Sequence, residues 1–237
     1  MGKYKRILLK LSGEALAGET GFGVSSDILL NVAQDIKQVA AAGIEVAVVI
    51  GGGNIFRGMS AAANGFNRTA GDNVGMLATI INSIMLAETL KKIDIDARVM
   101  NSFQVDKVAE YFVAENAIRH LQKKRVVIVS GGTGNPFFTT DTAAALRCAE
   151  LNCDVFFKAT KVDGIYDKDP MKYKDAVKFN EITHSFALEK RLKIMDSAAF
   201  SLCLDNNVEI LVFELLNKGN IFRAVNGENV GTAVKKG

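Results

Sequence analysis

Short apolar runs alternate with amphipathic stretches along this chain, and that alternation predicts its elements. Ile7, Leu8, Leu9 and Leu11 make the first run, so Lys5 to Leu11 reads as a strand. Glu45 to Ile50 is a continuous run rich in β-branched residues, as in a strand buried on both faces. Ala97 to Met100, Arg125 to Ser130, Val155 to Lys158 and Val208 to Phe213 read as further strands, with Thr232 to Lys235 as a final edge strand. Between them lie helical patterns. Ser26-Asp27 opens one whose apolar face is Ile28, Leu29, Val32, Ile36 and Val39, and Gly43 ends it. Val105 to Lys123 reads as an amphipathic helix through Val108, Phe112, Ile118 and Leu121. Thr142 to Glu150, Asp196 to Asn206 and Gly219 to Val225 read as three more. Strand–helix alternation throughout predicts an α/β fold, with a mostly parallel central sheet sandwiched between helices on both faces.

One helical pattern is different. From Asp72 to about Lys91 it carries Val74, Met76, Leu77, Ile80, Ile81, Ile84, Met85 and Leu86, apolar on more than one side. Thr79, Asn82, Ser83 and Glu88 argue against a membrane span, so the pattern predicts a subunit interface.

Bulk properties narrow the class. The chain has 237 residues, of which 49% are hydrophobic and 23% charged, with a net charge of +3. That suits one α/β domain over residues 1–237, and the absence of a basic block gives no case for nucleic acid. Cys148, Cys153 and Cys203 lack C-x-x-C spacing and read as free thiols in a reducing compartment. The apolar run after Met1 to Arg6 is too short for a signal peptide or a membrane span, so a cytoplasmic location is expected. The two histidines, His120 and His184, are far apart, which disfavours a His-based zinc site or a Ser-His-Asp triad.

The candidate chemistry gathers where the strands end. Lys10-Leu11-Ser12-Gly13 closes the first strand, and Gly51-Gly52-Gly53-Asn54-Ile55-Phe56-Arg57-Gly58 follows the second. Gly131-Gly132-Thr133-Gly134-Asn135-Pro136-Phe137-Phe138-Thr139-Thr140-Asp141 leads from a strand into a helix, and Lys158 ends another strand. Glycine turns and helix N-termini present free N–H groups to anions, and ligands of parallel sheets bind at the carboxyl ends of strands. Two lysines, an arginine and no convincing nucleophile–base pair suit phosphoryl transfer, which rests on positioning and charge neutralisation. The Walker, G-x-G-x-x-G and protein-kinase signatures are all absent.

These blocks, with Asp72, Lys158-Ala159-Thr160-Lys161-Val162-Asp163-Gly164-Ile165-Tyr166, Asp169-Pro170 and Met195-Asp196, resemble the bacterial uridylate (UMP) kinases of the amino-acid kinase superfamily along essentially the whole chain. The resemblance implies UMP + ATP → UDP + ADP with Mg²⁺, a step in pyrimidine nucleotide (CTP) biosynthesis. It implies that Lys10, Leu11, Ser12, Gly13, Gly53, Arg57, Thr160, Tyr166 and Asp169 bind ATP. Gly52, Asp72, Thr133, Gly134, Asn135, Pro136, Phe137, Phe138, Thr139 and Thr140 would bind UMP. Residues 1–154 would form the UMP half and 155–237 the ATP half. Lys10 and Lys158 would neutralise the transferring phosphoryl group, Arg57 would fork onto phosphate oxygens, and Asp141 and Asp196 would hold the lysines from two sides. Asp72 would accept ribose hydroxyl bonds or simply cap its helix. The family further suggests a homohexamer, with GTP as activator and UTP as inhibitor in some branches. Gly18, Glu19, Thr20, Gly21, Phe22 and Gly23 match the loop tied to that control, and Arg98 and Arg125 are candidate effector contacts.

The missing general base fits a nucleotide acceptor, because a phosphate monoester has its second pKa near ~6 and is already largely an anion at neutral pH. Two rivals stand beside this reading: an acyl-phosphate-forming kinase of the same superfamily, acting on acetylglutamate, aspartate or carbamate, and a non-catalytic nucleotide-binding module.

Overall fold

The described residues are 3–56, 65, 67–192 and 194–236 of a computed structural model. Arg57 and Gly58 lie outside them. The expected strands form: β1 (Arg6–Leu11), β2 (Glu45–Ile50), β3 (Ala97–Asn101), β5 (Val126–Ser130), β6 (Val155–Thr160), β10 (Glu209–Glu214) and β11 (Gly231–Lys235). Short strands were not legible in the pattern: β4 (Glu110–Tyr111), β7 (Ile165–Tyr166), β8 (Lys178–Phe179) and β9 (Glu181–Thr183).

Among the described residues, nine strands form one sheet in the order β4-β3-β5-β2-β1-β6-β10-β11-β9. Every pairing in it is parallel except β10 with β11. The strand expected at the edge, β11, is therefore internal, because β9 pairs along its outer side. β7 and β8 make a small antiparallel ribbon beside the main sheet.

Helices cover both faces, as the alternation predicted. Ile7, Leu9 and Leu11 of β1 face one layer: α1 (Gly13–Leu16), α2 (Ser26–Ala41), α3 (Arg68–Lys92) and α8 (Asn220–Val225). Leu8 and its neighbours Val49, Val129 and Phe156 face the other layer: α4 (Ala114–Gln122), α5 (Thr140–Glu150), α6 (His184–Glu189) and α7 (Ser197–Asp205). β2 and β5 are buried at every position, which is why they read as unbroken apolar runs.

Two helix starts differ from expectation by a turn or more. α4 starts at Ala114, not Val105; the segment before it turns, and Glu110–Tyr111 pairs with β3. Tyr111, Phe112 and Val113 favour extended backbone, and the Phe112 N–H bonds the Asn101 carbonyl at 2.9 Å. α3 starts one turn before Asp72, because Asn67 caps it by accepting from the N–H groups of Thr69 and Ala70. Asp72 is thus not an N-cap.

Candidate active site

β1 and β6 are neighbours in parallel register, with Lys10 opposite Lys158. Period-two alternation points both ammonium groups to the face that carries Leu8 and Phe156, where α5 packs. Two half-buried cations side by side would repel. Asp141, in the first turn of α5, stands between them: its Oδ1 lies 3.0 Å from Lys10 Nζ, and its Oδ2 bonds Lys158 Nζ. Burial alone would raise the Asp141 pKa, but the two lysines outweigh it and hold the carboxylate below its ordinary value. Burial and the nearby Lys10 charge lower the Lys158 pKa, against the pull of Asp141.

Asp196, expected to steady the lysines, acts on Lys158 by charge and also organises the helix caps. It caps α7 through the Ala199 N–H at 3.1 Å, and accepts from the hydroxyls of Thr142 (2.9 Å) and Thr139. Thr139 in turn caps α5 in a reciprocal capping box with Thr142. One carboxylate thereby ties the N-termini of α5 and α7 together and fixes the base of Asp141.

The loops after β1 and β2 meet at close range. A Cβ on Gly13 would lie 2.5 Å from the Gly51 carbonyl oxygen, so only glycine fits there. Leu11 is a fully buried core residue whose carbonyl accepts the Gly51 N–H at 3.0 Å; its share in the site is backbone only.

Three cavities meet around the lysine cluster. The central one, of about 250 Å³, is lined by Lys10, Ser12, Gly13, Gly53, Thr139, Thr140, Asp141 and Asp196. A second, of about 550 Å³, lies toward β7 and takes in Lys158, Thr160, Tyr166 and Asp169. The third, of about 390 Å³, lies toward α3 and takes in Gly52, Asp72, Thr133, Asn135, Phe138, Thr139 and Thr140. The residues expected to hold ATP thus split between the first two cavities, and most of those expected to hold UMP line the third.

Gly134, Pro136 and Phe137 shape the third cavity's loop and are not among its lining residues. Phe137 sits at φ 73°, a conformation L-residues other than Asn and Asp seldom adopt. Asp72 holds it there by accepting its N–H at 2.8 Å, and Arg68 pairs with the same carboxylate at 2.8 Å.

Some site residues carried no signal in the sequence. Glu14, Met76 and Thr79 line the third cavity, beside Phe56 of the glycine block that the sequence had marked, and Lys190, Arg191 and Leu192 line the second. The latter three come from the loop after α6, which follows no glycine turn.

The residues expected to contact effectors lie apart in this chain. Gly18 to Gly23 lies by the turn after β2, where the Gly23 N–H donates to the Asn54 carbonyl at 3.0 Å. Arg125 precedes the opposite end of β5 and pairs with Asp96 at 2.8 Å, and Arg98 pairs with the same Asp96. The histidines are structural: His120 bridges Glu110 and Arg125, and His184 is buried against Phe200. Burial, with Asp141 and Asp196 nearby, pushes the Cys203 thiol up to about 12, so it is no nucleophile.

A pair of strand-end lysines clamped by one carboxylate, between two cavities at the carboxyl edge of a parallel sheet, defines a phosphotransferase of small molecules. The chain belongs to the amino acid kinase family, whose model matches residues 5–214. It is similar to UMP kinase from Bacillus anthracis, with 40% identity, TM-score 0.95, and coverage of 98% of this chain and 96% of that one. It is similar to UMP kinase from Ureaplasma parvum at 34% identity and TM-score 0.94, covering 99% and 100% of the two chains. Uridylate kinase from Archaeoglobus fulgidus matches at 29% identity and TM-score 0.74, over 96% of this chain and 99% of that one.

Proposed function

We infer that this chain is a UMP kinase, transferring the γ-phosphoryl group of ATP to UMP to give UDP and ADP, a step that feeds pyrimidine nucleotide synthesis. The observation that carries this is the Lys10–Asp141–Lys158 cluster placed between two nucleotide-sized cavities. ATP occupies the cavity bordered by Thr160, Tyr166 and Asp169, with its phosphates reaching Lys10, Ser12, Gly13 and Gly53. UMP occupies the cavity of Gly52, Asp72, Thr133 and Thr140. The division is by cavity, so residues before 155 serve both nucleotides. Lys10 and Lys158 neutralise charge as the phosphoryl group moves, and Asp141 aims them. The UMP phosphate needs alignment, not deprotonation, so the reaction calls for no general base.

Magnesium fits this donor set as a companion of ATP. Among the described residues no group of three or more His, Cys, Asp or Glu side chains is gathered for a metal. Mg²⁺ keeps several waters and binds through substrate phosphates with one or two carboxylates. Asp141 and Asp196 border the central cavity with their oxygens already engaged by the lysines and the helix caps, so they would reach the ion through its waters. When bound it supplies charge neutralisation at the phosphate oxygens.

A cytoplasmic homohexamer belongs to the same reading. Its support is the outer stripe of α3, where Val74, Leu77, Ile81 and Met85 are 37%, 49%, 48% and 38% exposed.

A coupled ADP-release assay with UMP, CMP, acetylglutamate, aspartate and carbamate tests the activity. Turnover with UMP far above the rest is expected. Turnover with an acid instead would establish the acyl-phosphate reading, and none at all the non-catalytic one.

A further inference from the structure

Two polar side chains on the inner face of α3, Thr79 and Asn82, are 5% and 0% exposed. They stand one helical turn apart, and each is committed to a different glycine turn. The Thr79 hydroxyl accepts the Gly131 N–H at 2.8 Å and donates to the Met76 carbonyl at 2.7 Å. Asn82 Nδ2 donates to the Gly51 carbonyl and to Asn54 Oδ1, both at 2.7 Å, and Asn82 Oδ1 accepts from Asn54 Nδ2 at 3.1 Å. The second proton of Asn54 Nδ2 goes to the Gly23 carbonyl at 2.7 Å. Every amide proton of the two asparagines is used. Ser83 beside them makes only the usual back-bond of a mid-helix serine, to the Thr79 carbonyl at 2.8 Å.

Apolar side chains would bury this face without the desolvation cost of an amide and a hydroxyl, so these residues serve more than packing. Gly131 opens the acceptor loop, and Gly51 borders the lysine cavity. One rigid helix grips both turns, and a site held from a helix is more precise than one held from loops. We propose that Thr79 and Asn82 are positioning residues: they set the spacing between the two glycine turns, and with it the place of the acceptor phosphate against Lys10, Asp141 and Lys158. This inference rests on the UMP kinase reading above.

The test uses the full chain. Thr79→Val keeps the shape and removes the acceptor of the Gly131 N–H, while Thr79→Ser keeps the hydroxyl. Asn82→Leu removes the grip on Gly51; Asn82→Ala, with room for a bridging water, is the milder variant if the first fails to fold. Leaving a buried N–H unpartnered should raise KM for UMP about tenfold in Thr79→Val, with KM for ATP unchanged. Thr79→Ser should restore it, and the Asn82 variant should lower kcat about tenfold or more, as misplaced reacting groups do. Variants with a lower thermal midpoint but unchanged kcat and KM values would mean packing alone and overturn the inference. Amide hydrogen exchange at Gly131 in the ligand-free protein reads the positional claim without turnover. Faster exchange in Thr79→Val supports it, and unchanged exchange overturns it. A wild-type chain that leaves UMP untouched defeats only the functional reading, and the exchange measurement then decides this one.

Discussion

An alkaline pH dependence of the proposed site is expected to arise at Lys158. Its charge is buried, and Lys10 stands in the next strand, so it gives up its proton below the ordinary lysine value of 10.5. The sign follows: the cost of burying that charge is present at neutral pH and is relieved as pH rises through the lowered folded value. Asp141 behaves oppositely. Its folded pKa lies below 3.8, so its ionisation stabilises the fold above the ordinary aspartate range and stops doing so as pH falls through the lower value. Catalysis by a charged Lys158 should therefore fail on the alkaline side before an ordinary lysine titrates. In pH profiles of kcat/KM, which report the free enzyme, Lys158→Arg should move the alkaline limb upward, because a guanidinium does not titrate there. A limb that stays in place would assign it to another group. The lysines and Asp141 were legible as strand-end and helix-start residues. Their contact was not, because nothing local states that residue 10 lies opposite residue 158.

Among the elements, the acceptor loop depends most on its neighbours. Residues 131 to 139 leave β5 through Gly131, where φ is 76° and a Cβ would lie 2.4 Å from Asn101 Oδ1. They enter α5 through the Thr139 capping box. Between these fixed ends, Asp72 on α3 holds Phe137 in its unfavourable backbone conformation. Asp72→Ala should free that segment and raise KM for UMP about tenfold, the equivalent of one charge-assisted hydrogen bond, while KM for ATP stays the same. A rise in KM for ATP of equal size would show that the two cavities are not separate in function. The glycine loop was legible from composition. The partner of Phe137 was not, because Asp72 reads from sequence as a helix start, and the cap that displaces it, Asn67, precedes any apolar periodicity.

For the whole molecule, α3 links the catalytic edge to the outer surface. Its inner face grips the glycine turns, and its outer stripe stands exposed in the single chain. Burying such a stripe between copies would remove apolar surface from water at roughly 25 cal/mol per Å². Leu77→Glu with Ile81→Glu should lower the assembly mass measured by light scattering, because charge at an interface core is costly. An unaltered mass would move the interface elsewhere.

The layered α/β order, the burial of β2 and β5, and the gathering of lysines and glycine turns at strand ends were all readable along the chain. Those features follow from periodicity and turn chemistry, which act over a few residues. Three contacts appear only once the elements are packed: Asp141 clamps Lys10 to Lys158, Asp196 serves the helix caps, and Thr79 and Asn82 face the two turns and not each other. Strand register and helix packing join residues that lie dozens of positions apart or, for Lys10, more than a hundred, and a buried polar group on an apolar helix names its partner only once the helix is in place.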